Sequence, residues 1–486
     1  MPRLGGWEML NRLEAAAARR RVARRGVNAD ARPHPAIETG TDCLPQIEHI
    51  VILMMENHSY DNYLGMLAGR GDGLPLDDRG MPSPVNKAGD GTAVRMHRFT
   101  GTEQMPHVPT QSWNASHIQW GEGACGGFVR SIEQTLPGYD ASVAMTYWQQ
   151  EDLPFYYGLA QTFPLATRWF SSCLGPTFPN RRFLIAGTAH GLIDDLPFTM
   201  VDYPAKGTIF DLLGAHGISW ANYHHLPPIR VNWRRLSHAR GLNFFRVLGA
   251  LPGAFFPKLV PAVERKLQAT ADLYPLGFLR SVNHLRPMRE FWRDARAGKL
   301  PAVSIVDPDF GRFSEENPQD IQDGEGFAAK VVDAVMNGLG WPKTLLVWLY
   351  DEHGGYYDHV APPGAPEPDD VPGQNPMRRF FLLRLLNLTG YGKRIEAIDA
   401  GPTTYDRLGF RVPAVIVSPY AKPGYVTSTV YDHTSILKLI QRKWNLPPLT
   451  KRDSAASDPL DALDLQSPPR FLTPPPLPRP ARPWRG

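Results

Sequence analysis

The stretch VILMMENHSY (Val51–Tyr60) sets five hydrophobic residues against an abrupt polar end at Glu56 and Asn57. A short continuous apolar run of this kind reads as a strand buried on both faces, as in parallel sheets. TLLVWLYDEHGGYYDH (Thr344–His359) repeats the pattern far downstream and ends on Asp351 and Glu352. PAVSIVD (Pro301–Asp307) and PAVIVSP (Pro413–Pro419) read as two further strands. FAAKVVDAVMNGLG (Phe327–Gly340) has helical spacing and a glycine stop just before the second run. TSILKLIQRKWNL (Thr434–Leu446) is an amphipathic helix for which Thr434 or Asp432 is the expected cap. Strands alternating with helices predict an α/β fold: a doubly wound, mostly parallel sheet with helices on both faces, carrying insertions.

The 486 residues can build one large domain or two to three smaller ones. A hydrophobic fraction of 42% and a charged fraction of 21% describe an ordinary globular chain. The net charge of +4 gives no general attraction to nucleic acid, and no such partner is expected. No run of about 18 apolar residues is present, so no transmembrane helix is predicted. RRRVARRG (Arg19–Gly26) has the look of a twin-arginine signal, but polar VNADARPHP follows where an apolar core is needed. The expected location is the cytoplasm or the periphery of a membrane, with secretion left open and the oligomeric state undetermined. Cys43, Cys125 and Cys173 form no metal or redox motif, and at most one disulfide could close among them. Three parts are expected: a basic N-terminal extension (1–45), a catalytic domain (46–450) interrupted by an apolar and basic insertion or lid at 228–285, and a proline-rich tail (451–486) that is extended and mobile.

Ligands of open α/β sheets gather beyond the carboxyl ends of the strands. Glu56 and Asn57 end one strand there, and Asp351 and Glu352 end another. Three carboxylates and an amide oxygen are hard donors suited to one divalent metal ion such as Mg, Ca or Mn, and their mutual repulsion calls for a cation. SSCLGPTFPNRRFLIAGTAHG (Ser171–Gly191) offers a nucleophile. Gly175 and Pro176 shape a turn, and Thr177 then opens a helical pattern. A hydroxyl at a helix N-terminus sits among free N–H groups, which would also take phosphate oxygens, and a nearby cation would favour its alkoxide.

IEHIVILMMENHSYDNYLG, DLPFYYGLAQTF, LGPTFPNRRFLIAGT, DEHGGYYDHVAPP, RVPAVIVSPYAKPGYV and YDHTSILKLI resemble the bacterial phosphoesterase family. That family contains the phosphatidylcholine-type phospholipases C and the respiratory-burst-inhibiting acid phosphatases, within the alkaline phosphatase-like superfamily. The resemblance runs from about residue 46 to 450 and implies an alkaline phosphatase-like fold. It implies a metal-dependent phosphoric ester hydrolase, expected to be a phospholipase C-type phosphodiesterase. The alternatives are an acid phosphatase and a catalytically impaired, surface-binding relative. By resemblance, Glu56, Asn57, Asp351, Glu352 and Thr177 bind one divalent metal (Ca, Mg, Mn or Zn), and Thr177 is the nucleophile that becomes covalently phosphorylated. His117 in SWNASHIQWGEG resembles a family histidine near the transferred phosphate and is the expected general acid. Asn180, Arg181, His353 and His433 line the phosphate pocket or support its ligands from behind, and His359 is expected to be structural.

The expected partner is a phosphate ester, with a phospholipid at a membrane surface favoured by the apolar insertion and by loop aromatics around Trp113 and Trp120. Two departures from the family stand out. Gly126 in CGGFV replaces an acidic residue, and Glu316 in SEENP replaces a histidine that meets phosphate. A carboxylate at 316 would repel a phosphate unless it points away or helps to hold the metal.

Overall fold

In the computed structural model, which describes residues 15–20, 22–23, 31–195, 203–204, 206–225, 281–373 and 403–484, the two opening runs become neighbouring strands. The main sheet has eight strands. In chain order they are β1 (His49–Met55), β2 (Leu165–Ala166), β3 (Trp220–His224), β4 (Leu285–Pro287), β5 (Val303–Val306), β6 (Thr344–Tyr350), β7 (Ala414–Val417) and β8 (Val426–Thr427). Their spatial order is β8-β2-β7-β6-β1-β5-β3-β4. The helices that matter below are α1 (Tyr60–Leu64), α2 (Trp113–Trp120), α3 (Thr177–Ala186), α4 (Ile321–Met336) and α5 (Thr434–Lys443).

β1 lies parallel to β6 in register, from His49 opposite Thr344 to Met55 opposite Tyr350, and parallel to β5 on its other side. Ile50 to Met55 and Leu345 to Tyr350 are at most 1% exposed, because helices cover both faces. Continuous apolar composition, rather than alternation, is therefore what these strands need. The sheet is mostly parallel, as expected. β7 runs antiparallel to both β6 and β2. An apolar run such as AVIV carries no directional signal, so this reversal is a property of the tertiary arrangement.

Several local boundaries differ from the sequence reading. α4 begins at Ile321, before the expected Phe327, because Asp320 caps it by accepting from the Gln322 N–H. Gly324 and Gly326, inside α4, are sites of close approach. A Cβ at 324 would stand 2.1 Å from Glu315 Cγ, and one at 326 would stand 2.3 Å from the Arg482 carbonyl oxygen. At α5, neither Thr434 nor Asp432 occupies the cap position; His433 does, and Asp432 accepts from the Thr434 hydroxyl. Trp113 and Trp120 lie on α2, not on a loop.

The tail opens with two short helical segments, Lys451–Ala455 and Pro459–Ala462, and its proline-rich remainder is irregular but docked. The Phe471 ring packs 4.9 Å from that of Phe163, Trp341 Nε1 donates to the Phe471 carbonyl, and the Ala481 N–H donates to Glu325. Apolar anchors spaced along the tail, at Phe471, Leu477 and Trp484, outweigh the solvation that its prolines suggested. The expected insertion lies outside the described residues except for its last five positions, 281–285. Cys43, Cys125 and Cys173 are all free thiols. No helix among the described residues is long and apolar enough to cross a membrane.

The core also contains a carboxyl group. Glu315 is fully buried and receives the hydroxyls of Tyr63 at 2.7 Å, Tyr156 at 2.5 Å and Tyr350. Burial pushes its pKa from 4.5 to about 8, although the three hydroxyls pull the other way. A carboxyl whose pKa rises on folding stabilises the fold fully below its unfolded value of 4.5, and that contribution is lost as pH rises through 8. Glu315→Gln removes this titration. Wild type is expected to lose stability relative to the variant between pH 5 and 9, by on the order of 3–5 kcal/mol. Denaturant melts of both proteins across that range check it; a constant difference would show that Glu315 keeps one protonation state.

Candidate active site

The parallel register of β1 and β6 decides the site. Because Met55 faces Tyr350, the residues that follow each strand emerge side by side at one sheet edge. The Asp351 N–H donates to the Met55 carbonyl, which carries the pairing one step beyond the strands. Asn57 takes a left-handed backbone with φ of 69°, a conformation that asparagine tolerates better than most residues. Its N–H donates to Asp351 Oδ1 at 3.3 Å, and the Glu352 N–H donates to the same oxygen at 2.8 Å.

The Asn57 amide is the junction of the cluster. One of its terminal atoms lies 2.6 Å from Glu352 Oε1 and 3.3 Å from Asp351 Oδ1, and the other lies 3.1 Å from Gln111 Nε2. With nitrogen turned toward the carboxylates, each contact is a hydrogen bond. With oxygen turned toward them, acceptor atoms crowd one point, and Thr177 Oγ1 joins them at 3.4 Å. The amide can thus satisfy the carboxylates by donation or act beside them as a ligand to a hard cation.

Glu56 supplies an independent test of that fit. It is 1% exposed, and its Oε2 has no hydrogen-bond partner among the described residues. Burial drives its pKa well upward, and the carboxylates of Glu316 and Asp351 push the same way. Glu352 is raised by burial and then by Asp351. A buried, unpartnered carboxylate oxygen among like charges is a costly arrangement that a divalent cation would relieve. The residues present fit such an ion.

Thr177 is the first residue of α3, is 3% exposed, and follows Pro176 at the cap position. Asn180 holds the preceding turn: its Oδ1 accepts from the N–H groups of Ser172 and Cys173, and its Nδ2 donates to the carbonyls of Gly175 and Pro176. Asn180 is therefore the clamp that aims Thr177. Arg181, one turn further along α3, is consumed by protein carboxylates. Its Nε donates to Asp351 Oδ2 at 2.9 Å and its Nη1 to Asp307 Oδ1 at 3.0 Å. Its guanidinium thus orients a candidate metal ligand instead of being free for a phosphate.

The two motif histidines also act from behind. His433 Nε2 donates to the Asp351 carbonyl at 2.6 Å, and burial lowers its pKa to about 4. His353 Nε2 meets Gln119 Oε1 at 2.6 Å, and burial lowers its pKa to about 3. Both imidazoles are neutral at neutral pH. Glu316 is half-buried, and its charge acts on both Glu56 and Asp195. The structure brings this departure from the family pattern within the electrostatic reach of the site.

His117 stands somewhat apart. Its Nδ1 lies 2.7 Å from the Trp113 carbonyl, which can only accept, so Nδ1 carries the proton and Nε2 presents a lone pair. Burial lowers its pKa, and Asp406 opposes that effect. The ring lines a cavity of about 220 Å³ that reaches Cys173 and Leu174, the residues leading into the Thr177 turn.

Two carboxylates at the same edge escaped the sequence reading. Asp307 ends β5 and pairs with Arg181; the strand-end rule that found Glu56 applied to it equally well. Asp195 Oδ1 accepts from the Phe178 N–H at 2.7 Å. That amide was expected to take a phosphate oxygen, yet a carboxylate already holds it. Nothing in the sequence links position 195 to the start of α3. A separate trio, Asp61, Asp358 and His359, places ligand atoms within 4.8 Å of one another. Arg411 fills it, donating to Asp61 at 3.0 Å and to Asp358 at 2.8 Å, so the positive charge there is a guanidinium and His359 belongs to a buried ion-pair network.

The phosphoesterase family matches residues 47–447, from the start of β1 to beyond α5. The chain belongs to the phosphoesterase family. It is a hydrolase of phosphoric ester bonds. Among curated relatives of this phosphoesterase, non-specific phospholipase C6 of Arabidopsis thaliana is 29% identical over 457 residues, covering 89% of this chain and 75% of the relative. Phospholipase C A of Mycobacterium tuberculosis is 29% identical over 458 residues, covering 89% and 80%. Non-hemolytic phospholipase C of Pseudomonas aeruginosa is 30% identical over 426 residues, covering 83% of this phosphoesterase and 54% of the relative.

Proposed function

We propose that this phosphoesterase is a phospholipase C-type phosphodiesterase that works through a covalent phosphothreonine at Thr177. One observation carries the reading: a buried hydroxyl at the first position of α3 stands 3.4 Å from the Asn57 amide, beside the carboxylates of Asp351 and Glu352. The phospholipase C names of the relatives support the substrate class. Glu56, Asn57, Asp351, Glu352 and Thr177 are the residues that would hold a divalent ion. Such an ion would supply charge stabilisation and lower the pKa of the threonine hydroxyl.

The remaining work falls to the chain's own groups. Asn180 fixes the turn so that the Thr177 oxygen is presented to phosphorus, and Arg181 with the His433 N–H holds Asp351 in place. In the first displacement an O–P bond forms at Thr177 Oγ1 and the bond to diacylglycerol oxygen breaks; the proton given up by the threonine hydroxyl is balanced by the one the departing alkoxide takes up to leave as the alcohol. Water then cleaves the phosphothreonine and releases the phosphorylated headgroup. The resting tautomer of His117 leaves Nε2 unprotonated, so this histidine must first gain a proton there before it can give one to a leaving group.

Purified protein is expected to hydrolyse p-nitrophenyl phosphorylcholine faster than p-nitrophenyl phosphate, and to stop on treatment with a chelator. A reversed preference would make the protein a phosphomonoesterase. Undiminished turnover after complete metal removal would remove the cation from the reading.

A further inference from the structure

The cavity beside the nucleophile turn has a composition that the catalytic chemistry does not require. Trp113, His117, Trp120, Thr404, Asp406 and Arg407 line it, and Cys173 and Leu174 connect it to the segment that positions Thr177. Its volume of about 220 Å³ is smaller than the roughly 300–1,000 Å³ of pockets for drug-sized ligands. It therefore suits a headgroup-sized alcohol better than two acyl chains.

The polar groups are of mixed sign and complementary. Asp406 and His117 Nε2 accept hydrogen bonds, Arg407 donates them, and the Thr404 hydroxyl does both. The Arg407 guanidinium lies 4.4 Å from the centre of the Trp120 ring and is anchored by donation to the Pro362 carbonyl at 2.8 Å. A quaternary ammonium would need that aromatic face open and free of positive charge. Here a fixed cation covers it.

We propose that this cavity binds a polyhydroxylated alcohol carried on the phosphate, in preference to a cationic headgroup. Hydroxyls both donate and accept, so a polyol can satisfy Asp406, Arg407 and Thr404 together, while its C–H face packs against indole. This assignment rests on the proposed function, since it takes Thr177 as the place where the phosphate sits.

Calorimetric titration of the full-length chain with inositol 1-phosphate and with phosphocholine tests it, because the phosphate is common to both and the affinity ratio isolates the alcohol. Inositol 1-phosphate is expected to bind at least about tenfold more tightly, a difference of about 1.4 kcal/mol. The ratio is expected to shrink about tenfold in Asp406→Asn and severalfold in Thr404→Val, which removes the hydroxyl but keeps the shape. Asp406 is exposed, so its replacement does not threaten the fold. Phosphocholine binding as tightly as inositol 1-phosphate, or a ratio unchanged in both variants, overturns the proposal. Wild-type release of inositol 1-phosphate from phosphatidylinositol reports separately on catalysis: its absence alongside an intact binding preference would sink the proposed reaction and leave the subsite standing.

Discussion

Thr177→Ala is expected to reduce turnover by about 10⁴-fold or more, the range seen when a nucleophile is removed from an enzyme that depends on one. The fold should survive, at a cost of about 1 kcal/mol, because the groups that hold the turn belong to other residues. Asn180 clamps residues 172–176, and Asp195 accepts the Phe178 N–H. Thr177→Ser, which keeps a hydroxyl at the same position, should stay within about a hundredfold of wild type. Single-turnover quenching followed by mass spectrometry should find the phosphoryl group on Thr177 in wild type. Activity of the alanine variant within about tenfold of wild type would remove Thr177 as the nucleophile.

Asp351→Ala should affect both stability and metal content. One oxygen of Asp351 accepts the N–H groups of Asn57 and Glu352, and the other accepts from Arg181 Nε. Loss of the carboxylate leaves a buried guanidinium whose remaining ion-pair contact among the described residues is Asp307. Removing one member of a buried ion pair costs about 3–5 kcal/mol, so chemical denaturation should show a loss of that order. Asp351→Asn keeps the shape and tests the charge by itself, with a smaller loss of stability and the same loss of metal. Elemental analysis is the deciding measurement. Metal content equal to wild type in both variants would contradict a site that includes Asp351.

Much of this architecture was legible because local composition and position coincided. After their first residues, His49 and Thr344, β1 and β6 are runs of buried hydrophobic and aromatic residues, and each stops where the chain turns polar. The rule that strand ends deliver ligands then picked out Glu56, Asn57, Asp351 and Glu352 from types and positions alone. Thr177 could be found because a glycine–proline turn ahead of a helical pattern is a local signal.

Roles were harder to read than places. For Arg181 the sequence left open a place against phosphate or a supporting one; the approach of β5 brings Asp307 to it, and two carboxylates absorb its charge. Asp195 gave no signal, because its contact with Phe178 spans a loop whose path depends on the packed core. The tail read as mobile since proline dominates its composition, whereas Phe471 and Trp484 dock onto surfaces that exist only once the sheet and α4 are assembled.

By itself, then, the chain's order of residues determined which segments become buried strands, which polar residues cap their ends and which hydroxyl opens a helix, because each depends on neighbours within a few positions. Strand direction at β7, the pairing of Arg181 with two carboxylates, the clamp on the turn before Thr177 and the covered face of Trp120 were decided only in three dimensions. Electrostatic and packing energies depend on distances between groups far apart in the chain, and those distances are fixed only when the sheet closes and excludes water.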